Sequence, residues 1–419
     1  MVYGRTCKRL RASQLPLAWL IFCVLLMSGC GDNGGGEGGL GGLGTIGGGE
    51  GTTASVYVTN TESNDVSAYS INPSTGGLTA ISGSPFVDVT APSAITVSSN
   101  GFFAYVANSR TNKVTAFRVG TNGALLLGAS TPDMPNPASV GTTPRALAIS
   151  RDSRVLYVAN SGSDNVTVFS IGAAGVLEPI PPSTGNPNPV STGGLSPVAL
   201  AISSTGRFLY VANSTSNTIT AFQVESSGLL TQVPQAGPGT NPVSTSVTGP
   251  TALAVSSTGQ FLYVTNGPSN TVTAFRVEPS GRLTLIPPVG ATPNPVSTGG
   301  TTPNSIAIAP NGAHLYIANG GGTVSVFAIG TDGLLALAPA SGTAQNPTPT
   351  LVAGSRSTPV ALTISQDGQF LYVVNRESIV LAYTIASGSG TLIPITSPLG
   401  IPFRAGTNPS AIAVADPTL

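Results

Sequence analysis

The sequence predicts an all-β protein, a seven-bladed β-propeller built from four-stranded antiparallel blades. Three observations support this prediction: a strand signature that occurs seven times, a second apolar stretch that accompanies it, and a displaced copy of that stretch near the end of the chain. A repeat of about 50 residues is typical of propellers and solenoids. No amphipathic helical period appears within the repeats, which excludes a helical array.

The strand signature is a short apolar segment that ends in Tyr-Val-x-Asn or a close variant. Its seven copies end at Asn60, Asn108, Asn160, Asn213, Asn266, Asn319 and Asn375, so successive copies are 48, 52, 53, 53, 53 and 56 residues apart. The Tyr recurs once per repeat at one strand position. We therefore interpret the Tyr series as packing between blades, and not as a stacking platform for sugars.

The second apolar stretch, of the type Pro-x-Ala-Leu-Ala-Ile-Ser, precedes every copy of the signature except the first. Its copies begin at Pro92, Pro144, Pro197, Pro250, Pro303 and Pro359, and a seventh begins at Pro409. We therefore predict that the C-terminal strand pairs with the N-terminal blade and closes the ring. Turn residues divide one unit, residues 250–302, into four strands. Radial repetition of such units leaves only short sheet edges.

The first 30 residues differ from the repeats. Four basic residues precede an apolar run from Leu15 to Met27, a secretory signal pattern too short for a stable membrane span. The run leads into Leu26-Met27-Ser28-Gly29-Cys30, which resembles a bacterial lipobox and predicts lipidation of Cys30. An uncleaved membrane anchor is the alternative.

This pattern predicts three segments: a lipoprotein signal peptide over residues 1–30, a Gly-rich flexible tether over 31–54 and the propeller over 55–419. It also predicts an exported protein of the bacterial cell envelope, held on a membrane by the lipid on Cys30 and facing the periplasm or the outside. The chain has three cysteines, and cleavage before Cys30 leaves that one alone in the mature protein. No disulfide within a monomer is then possible.

Composition argues against several classes of function. Only 8% of residues are charged and the formal net charge is zero, so no basic face for nucleic acid is predicted. The sequence has no His-Glu-x-x-His motif, no Gly-x-Ser-x-Gly elbow between a strand and a helix, and no Cys or His cluster with metal-ligand spacing. We predict neither a metal nor a cofactor.

Residues 55–419 resemble the lactonase-like propellers, the family of the Tyr-Val-Thr-Asn repeat. Literal copies of this tetrapeptide end at Asn60 and Asn266, and a longer pattern recurs at Ser203–Asn213 and Ser256–Asn266. The family includes bacterial 6-phosphogluconolactonases and fungal muconate-lactonising enzymes. The resemblance implies a seven-bladed ring whose reactive groups gather at one mouth of the central channel, but function depends on the site and not on the fold.

The resemblance also implies where a catalytic site would lie, because first strands of the family's enzymes often carry Pro-Arg-His at that mouth. The matching residues are Pro144-Arg145-Ala146, so Arg145 is the candidate catalytic residue and Ala146 replaces the His. The other first strands place Ala94, Ala199, Ala252, Ser305, Ala361 and Ala411 at this position. None of these can act as a general base. The only His, His314, takes the place of a Phe at the start of a second strand, which indicates a structural role.

Charged residues are distributed unequally among the blades. We expect the turns after each Asn and the loops before each Pro to share one face, where blades 7, 1, 2 and 3 carry charge and the same turns of blades 4 to 6 carry none. Asp88 and Asp133 lie in its long loops. The candidate ligand-binding residues are Arg145, Arg356, Arg404, Glu62, Asp65, Arg110, Lys113, Asp164, Arg376 and Glu377. Scattered, solvated loop charge is the alternative reading of the same residues.

Two functions follow from these observations. The missing His and the predicted export favour a binding module at the cell envelope, whose partner is a protein, a glycan or a small carboxylate ligand at the charged loop face. The family and Arg145 favour the alternative, a lactonase that hydrolyses carboxylic esters at an Arg-lined channel mouth.

Overall fold

The computed structural model describes residues 54–132, 134–234, 241–339, 345–352, 355–395 and 403–415, without the side chains of residues 351–356. The predicted signal peptide, Cys30, Asp133 and all but the last residue of the predicted tether lie outside this description. Within it, no helix is long and apolar enough to cross a membrane.

The described chain forms seven antiparallel blades of four strands each, which confirms the predicted fold class. The innermost, first strands are Pro92–Val97, Pro144–Ile149, Pro197–Ile202, Pro250–Val255, Pro303–Ile308, Pro359–Ile364 and Pro409–Ala415. The second strands are Ser55–Asn60, Phe103–Asn108, Val155–Asn160, Phe208–Asn213, Phe261–Asn266, His314–Asn319 and Phe370–Asn375. The third strands are Asp65–Ile71, Lys113–Val119, Asn165–Ile171, Thr218–Val224, Thr271–Val277, Thr323–Ile329 and Ile379–Ile385. The fourth strands are Leu78–Ala80, Leu125–Leu127, Leu177–Pro179, Leu230–Gln232, Leu283–Leu285, Leu335–Leu337 and Leu392–Ile395.

The ring closes where the sequence predicts it. Pro409–Ala415 pairs antiparallel with Ser55–Asn60, with Ala413 opposite Tyr57, and so supplies the first strand of blade 1. The first strands contact their neighbours all the way round the ring and line the central channel. Blades 2 to 7 follow in chain order from Pro92.

A short fifth strand pairs with the third strand in six blades of the described structure. These strands are Ala138–Ser139, Val190–Ser191, Val243–Ser244, Val296–Ser297, Thr348–Pro349 and Phe403–Arg404. In blade 3, Asn188 precedes a cis proline and its side chain fills the gap between the fourth and fifth strands. Its Oδ1 accepts the Val168 N–H at 2.9 Å, and its Nδ2 donates to the Val168 and Ile180 carbonyls at 2.7 and 2.8 Å. The side chain therefore continues the strand ladder.

Buried tyrosines of the second strands link each blade to the next. Each hydroxyl donates to a glycine carbonyl in the hairpin between the third and fourth strands of the following blade, over 2.7–3.2 Å. The pairs are Tyr57–Gly123, Tyr105–Gly175, Tyr157–Gly228, Tyr210–Gly281, Tyr263–Gly333, Tyr316–Gly390 and Tyr372–Gly76. Burial raises the pKa of Tyr57 to about 12, so the phenol remains a donor at neutral pH. The interpretation of these tyrosines as packing between blades is confirmed.

Candidate functional site

One end of the ring, which we call the Asn face, consists of the turns after the second strands, the loops before the first strands, and the starts of the first strands. The residue after each second-strand Asn donates its backbone N–H to the carbonyl of the residue before a first-strand Pro. The donor–acceptor pairs are Thr61–Asn408, Ser109–Ala91, Ser161–Thr143, Ser214–Ser196, Gly267–Gly249, Gly320–Thr302 and Arg376–Thr358. The prediction that turns and loops share one face is confirmed.

The loops of the Asn face differ in length and in charge. The loops into blades 4, 5 and 6, residues 190–197, 243–250 and 296–303, have eight residues each and carry no charge. Those into blades 1, 2 and 3, residues 403–409, 86–92 and 138–144, have seven. The loop into blade 7 is extended by a hairpin of Leu351–Val352 and Ser355–Arg356. The three loops into blades 4 to 6 are therefore alike in length and uncharged, whereas the loops into the other four blades are shorter or extended.

At the channel mouth, the second residue of each first strand forms a bulge. In four blades its side chain donates to the carbonyl of the next blade's first-strand Pro, over 2.7–3.1 Å. These four donors are Ser93, Thr251, Asn304 and Ser410. Arg145, Val198 and Val360 occupy the same position in the other blades. The mouth is thus a ring of short inter-blade hydrogen bonds that is interrupted at Arg145, Val198 and Val360, and Arg145 is the one charged residue among these three.

Arg145 is exposed at this mouth, and its guanidinium has no hydrogen bond or ion pair among the residues that the structure describes. The next residue, Ala146, lies opposite Ala159 in the second strand. The equivalent position is Ala or Ser in all seven blades, and Ser305 accepts the Leu362 N–H at 3.2 Å. At this position the mouth therefore offers a cation for an anion but no general base.

His314 begins the second strand of blade 6, at the end of the blade opposite the Asn face, and is 8% exposed. A Cβ on Gly390 of blade 7 would lie 2.6 Å from its ring, just as a Cβ on Gly281 would lie 2.3 Å from the Phe208 ring. His314 therefore replaces a Phe in the contact between blades, as predicted. Burial lowers the pKa of its imidazole below the ordinary value of 6.5.

We expect His314→Phe to remove a pH-dependent loss of stability. Because the folded-state pKa of His314 is lowered, the unfolded chain binds a proton first as the pH falls through 6.5. The melting temperature of the parent should then decrease from about pH 6.5 downwards until the folded pKa is passed. The variant should lose less over the same range, as thermal unfolding from pH 8 to pH 5 would measure. Parallel curves for the two proteins would contradict this assignment.

Three of the predicted ligand residues hold the Asn face together. The buried Asp65 carboxylate accepts from Asn60 Nδ2 at 2.6 Å. Asp164, in a turn, accepts the N–H of Ser196 at 2.7 Å and so fixes the loop into blade 4. Both carboxylate oxygens of Glu377 receive the Thr358 N–H, at 2.8 and 3.0 Å. These side chains shape the face, and ligand binding by any of them stays a prediction.

The other predicted ligand residues are spread over the rim of the same face. Glu62, Arg110, Arg376 and Arg404 have exposed side chains, and Arg404 lies in the fifth strand of blade 7. Arg356 ends the short hairpin before blade 7, and its side chain lies outside the described set. Among the described side chains, no ion pair joins these charges to one another.

Lys113 is different, because it lies with Asp88 around one cavity of about 400 Å³ on blade 2. The sequence predicts that both residues lie on the Asn face, but it does not indicate that they line the same cavity. The sequence feature that distinguishes this site is the seven-residue loop that carries Asp88. Loop length alone does not show how far the loop lies from Lys113.

A model of the family described as "Lactonase, 7-bladed beta-propeller" matches residues 51–192, 187–247 and 239–355. The chain belongs to this family. No curated protein matches it. The chain is similar in fold to several solved structures, and those described below are less than 25% identical to it.

One of these is a Bacteroides fragilis protein named provisionally as a 6-phosphogluconolactonase, with 23% identity over 87% of this chain and 98% of that chain, and a TM-score of 0.61. A second, from Bacteroides uniformis and named in the same provisional way, has 20% identity over 87% and 100%, and a TM-score of 0.65. The Pseudomonas aeruginosa periplasmic gluconolactonase has 19% identity over 87% and 99%, and a TM-score of 0.61. At these identities the likeness extends to the fold.

Proposed function

We propose that this lactonase propeller is a non-catalytic binding module of the bacterial cell envelope, whose Asn face recognises a partner that bears carboxylate or phosphate groups. The observation that carries the proposal is the channel mouth. Arg145 is exposed there with no hydrogen bond or ion pair to any described residue, while Ala146 occupies the position at which the family's enzymes often have a His. Such a mouth is suited to holding an anion.

Lactone hydrolysis makes demands that this mouth meets only in part. It needs a base of suitable pKa to activate water, and donors or cations to stabilise the oxyanion. Arg145 could supply the second of these. The first is missing at the third position of every first strand, and His314 lies buried at the opposite end of its blade. The carboxylate of Asp164, in the turn after the second strand of the same blade, is engaged with the Ser196 N–H.

The chemistry of Arg145 favours a particular ligand class. A guanidinium presents a planar fork of donors that matches the two oxygens of a carboxylate or phosphate. Neighbouring Ser93 is held by its hydrogen bond to the Pro144 carbonyl at 2.7 Å. The backbone that carries Arg145 is therefore fixed before a ligand arrives, which lowers the entropic cost of binding.

The envelope location in this proposal is supported by the signal pattern of residues 1–30 and by the lipobox-like segment that ends at Cys30. The Gly-rich segment that follows has the composition of a flexible spacer. Membrane fractions of cells that express the chain, compared with a Cys30→Ser variant, test this part. A variant that stays with the membrane as fully as the parent would contradict lipid anchoring.

A lactone hydrolase is the second candidate function. Membership of the lactonase family favours it, together with the Arg145 match and the similarity of fold to the Pseudomonas aeruginosa periplasmic gluconolactonase. In this case the guanidinium would stabilise the oxyanion, and a water would attack without a histidine base.

Measurements on Arg145→Ala and Arg154→Ala separate the two functions. Arg154 is a matched control because it is an exposed arginine at the opposite end of blade 3, paired with Asp152 at 4.0 Å. We expect citrate, as a polycarboxylate probe, to bind about tenfold more weakly to Arg145→Ala than to the parent, and equally to the control. Calorimetry would measure this binding.

The same proteins, given glucono-δ-lactone in a pH-stat, report on catalysis. We expect acid release at the uncatalysed rate from the parent and from both variants. Turnover well above that rate, abolished by Arg145→Ala and kept by Arg154→Ala, would establish the hydrolase instead. Equal citrate binding by all three proteins would overturn the assignment of Arg145.

A further inference from the structure

A second site lies on the Asn face of blade 2, in the cavity of about 400 Å³ between the loop before the first strand and the start of the third strand. We call it the blade-2 groove. We propose that it binds a small zwitterion, a free amino acid or a short peptide, with the ligand carboxylate at Lys113 and the ligand ammonium at Asp88. The proposal goes beyond the anion site at Arg145 and does not depend on it.

The walls of the groove are fixed by hydrogen bonds that do not use its charged groups. Thr115 Oγ1 donates to the backbone carbonyl of Asp88 at 3.2 Å and accepts from Asn108 Nδ2 at 2.9 Å. Asn108 Oδ1 in turn accepts the Thr90 N–H at 2.8 Å. The loop is therefore bound to the second and third strands, and the groove exists before a ligand enters.

This arrangement departs from the pattern of most other blades. In blades 1, 3, 4 and 6 a glycine stands three residues before the first-strand Pro and packs against the second-strand Asn; these are Gly406, Gly141, Gly194 and Gly300. The equivalent residue in blade 2 is the buried Val89. Asn108 Oδ1 is also satisfied, whereas the same atom is buried without a partner in blades 1, 3, 4, 5 and 6. The groove is thus a local departure and not a feature of the repeat.

Two opposite charges face the groove without neutralising each other. The Asp88 side chain is exposed and the Lys113 side chain is half-buried. Neither takes part in an ion pair or a side-chain hydrogen bond within the described chain. Lys113 is one of two lysines in the sequence, the other being Lys8. An ammonium and a carboxylate that line one cavity without forming an ion pair with each other can each pair with a ligand that carries both charges.

The composition of the groove distinguishes among small ligands. A simple anion would be repelled by Asp88, and a simple cation by Lys113. A sugar is usually held against an aromatic ring, and the apolar lining here consists of Val89 and Pro137. A zwitterion satisfies both charges, and the Thr90 and Thr111 hydroxyls supply further hydrogen bonds. A cavity of this size is at the lower end of small-molecule sites, which suits an amino acid or a dipeptide.

The test is calorimetric titration of the full chain with glycylglycine and L-alanine, beside N-acetylglycylglycine, glycylglycinamide and glucose. We expect saturable binding of a zwitterion below about 10 mM, and about tenfold weaker binding of each analogue that lacks one charge. Asp88→Asn and Lys113→Gln should each weaken binding of the zwitterion by a similar factor. Arg145→Ala should leave it unchanged, so this site and the proposed anion site are tested separately.

Two matched controls change the same charges elsewhere. Arg118→Gln alters an exposed residue of the same third strand as Lys113, at its opposite end. Asp332→Asn alters an exposed turn carboxylate of blade 6. Both should bind like the parent, and melting temperatures check that all variants are folded. Any of four results would overturn the proposal. Two concern the ligands: neither zwitterion binds saturably, or the singly charged analogues bind as tightly as the zwitterions. The others are that glucose alone binds, or that Asp88→Asn and Lys113→Gln bind the zwitterion as tightly as the parent.

Discussion

Gly281→Ala is expected to destabilise the propeller by about 3–5 kcal/mol, although it adds a single methyl group. Gly281 has a φ of +85°, which an L residue adopts only with strain. A Cβ there would also lie 2.3 Å from the Phe208 ring of the preceding blade. Since the Gly281 carbonyl accepts from Tyr210 at 3.2 Å, a shift that relieves the clash would disturb this hydrogen bond as well.

Gly388→Ala is the matched control for this substitution. Gly388 has nearly the same φ, +83°, but a Cβ there would meet no atom within 4 Å. Its replacement should therefore cost only the backbone strain, about 1 kcal/mol. Denaturant unfolding of the two variants would separate the strain from the clash, and similar losses in both would contradict the tight contact between blades.

Tyr372→Ala is expected to lower the free energy of unfolding by about 3–5 kcal/mol, as much as Tyr210→Ala. The two should be equal because each removes a fully buried side chain from an equivalent interface between blades. Tyr372 is fully buried and donates to the Gly76 carbonyl at 3.0 Å, across the junction between blades 7 and 1. Tyr210 makes the same contact with Gly281 in the middle of the chain. The comparison measures whether the junction is energetically equivalent to an ordinary blade interface.

Tyr372→Phe isolates the hydroxyl. It keeps the ring in its place and leaves the Gly76 carbonyl without its donor, which should cost about 1–3 kcal/mol. Unfolding curves of the three tyrosine variants, taken under one set of conditions, supply the measurement. A Tyr372→Ala protein much more stable than Tyr210→Ala would indicate a ring that opens easily at its junction.

The fold could be predicted from the sequence because the motifs that define its strands recur at a regular spacing. Each Tyr strand and each Pro strand recurs once per blade, and the displaced copy at Pro409 reveals the closure. The partners of these residues were harder to predict. Tyr57 bonds to Gly123, which lies 66 residues away in the next unit, so a single repeat taken alone hides the contact.

The site was less predictable because loop charges have several uses. Asp164 and Glu377 were predicted as ligand groups, yet their carboxylates accept backbone N–H groups of neighbouring loops. A carboxylate in a turn is equally suited to either use, and only geometry decides which N–H groups it reaches. The position of Arg145 could be inferred because it directly follows the first-strand Pro, which recurs once per blade. The blade-2 groove depends on the shape of one loop. This shape is not repeated from blade to blade, so the periodic pattern of the sequence does not predict it.

The tyrosine–glycine contacts also bear on how such a chain diverges over time. Within the chain the two partners are 66 to 74 residues apart, which is more than one repeat. A mutation at one partner therefore disturbs a contact with the adjacent repeat and not one within its own. Duplication or recombination of one repeat preserves the contact only if both flanking repeats retain the complementary residue. In this ring each such contact belongs to the interface between two blades and not to a single blade.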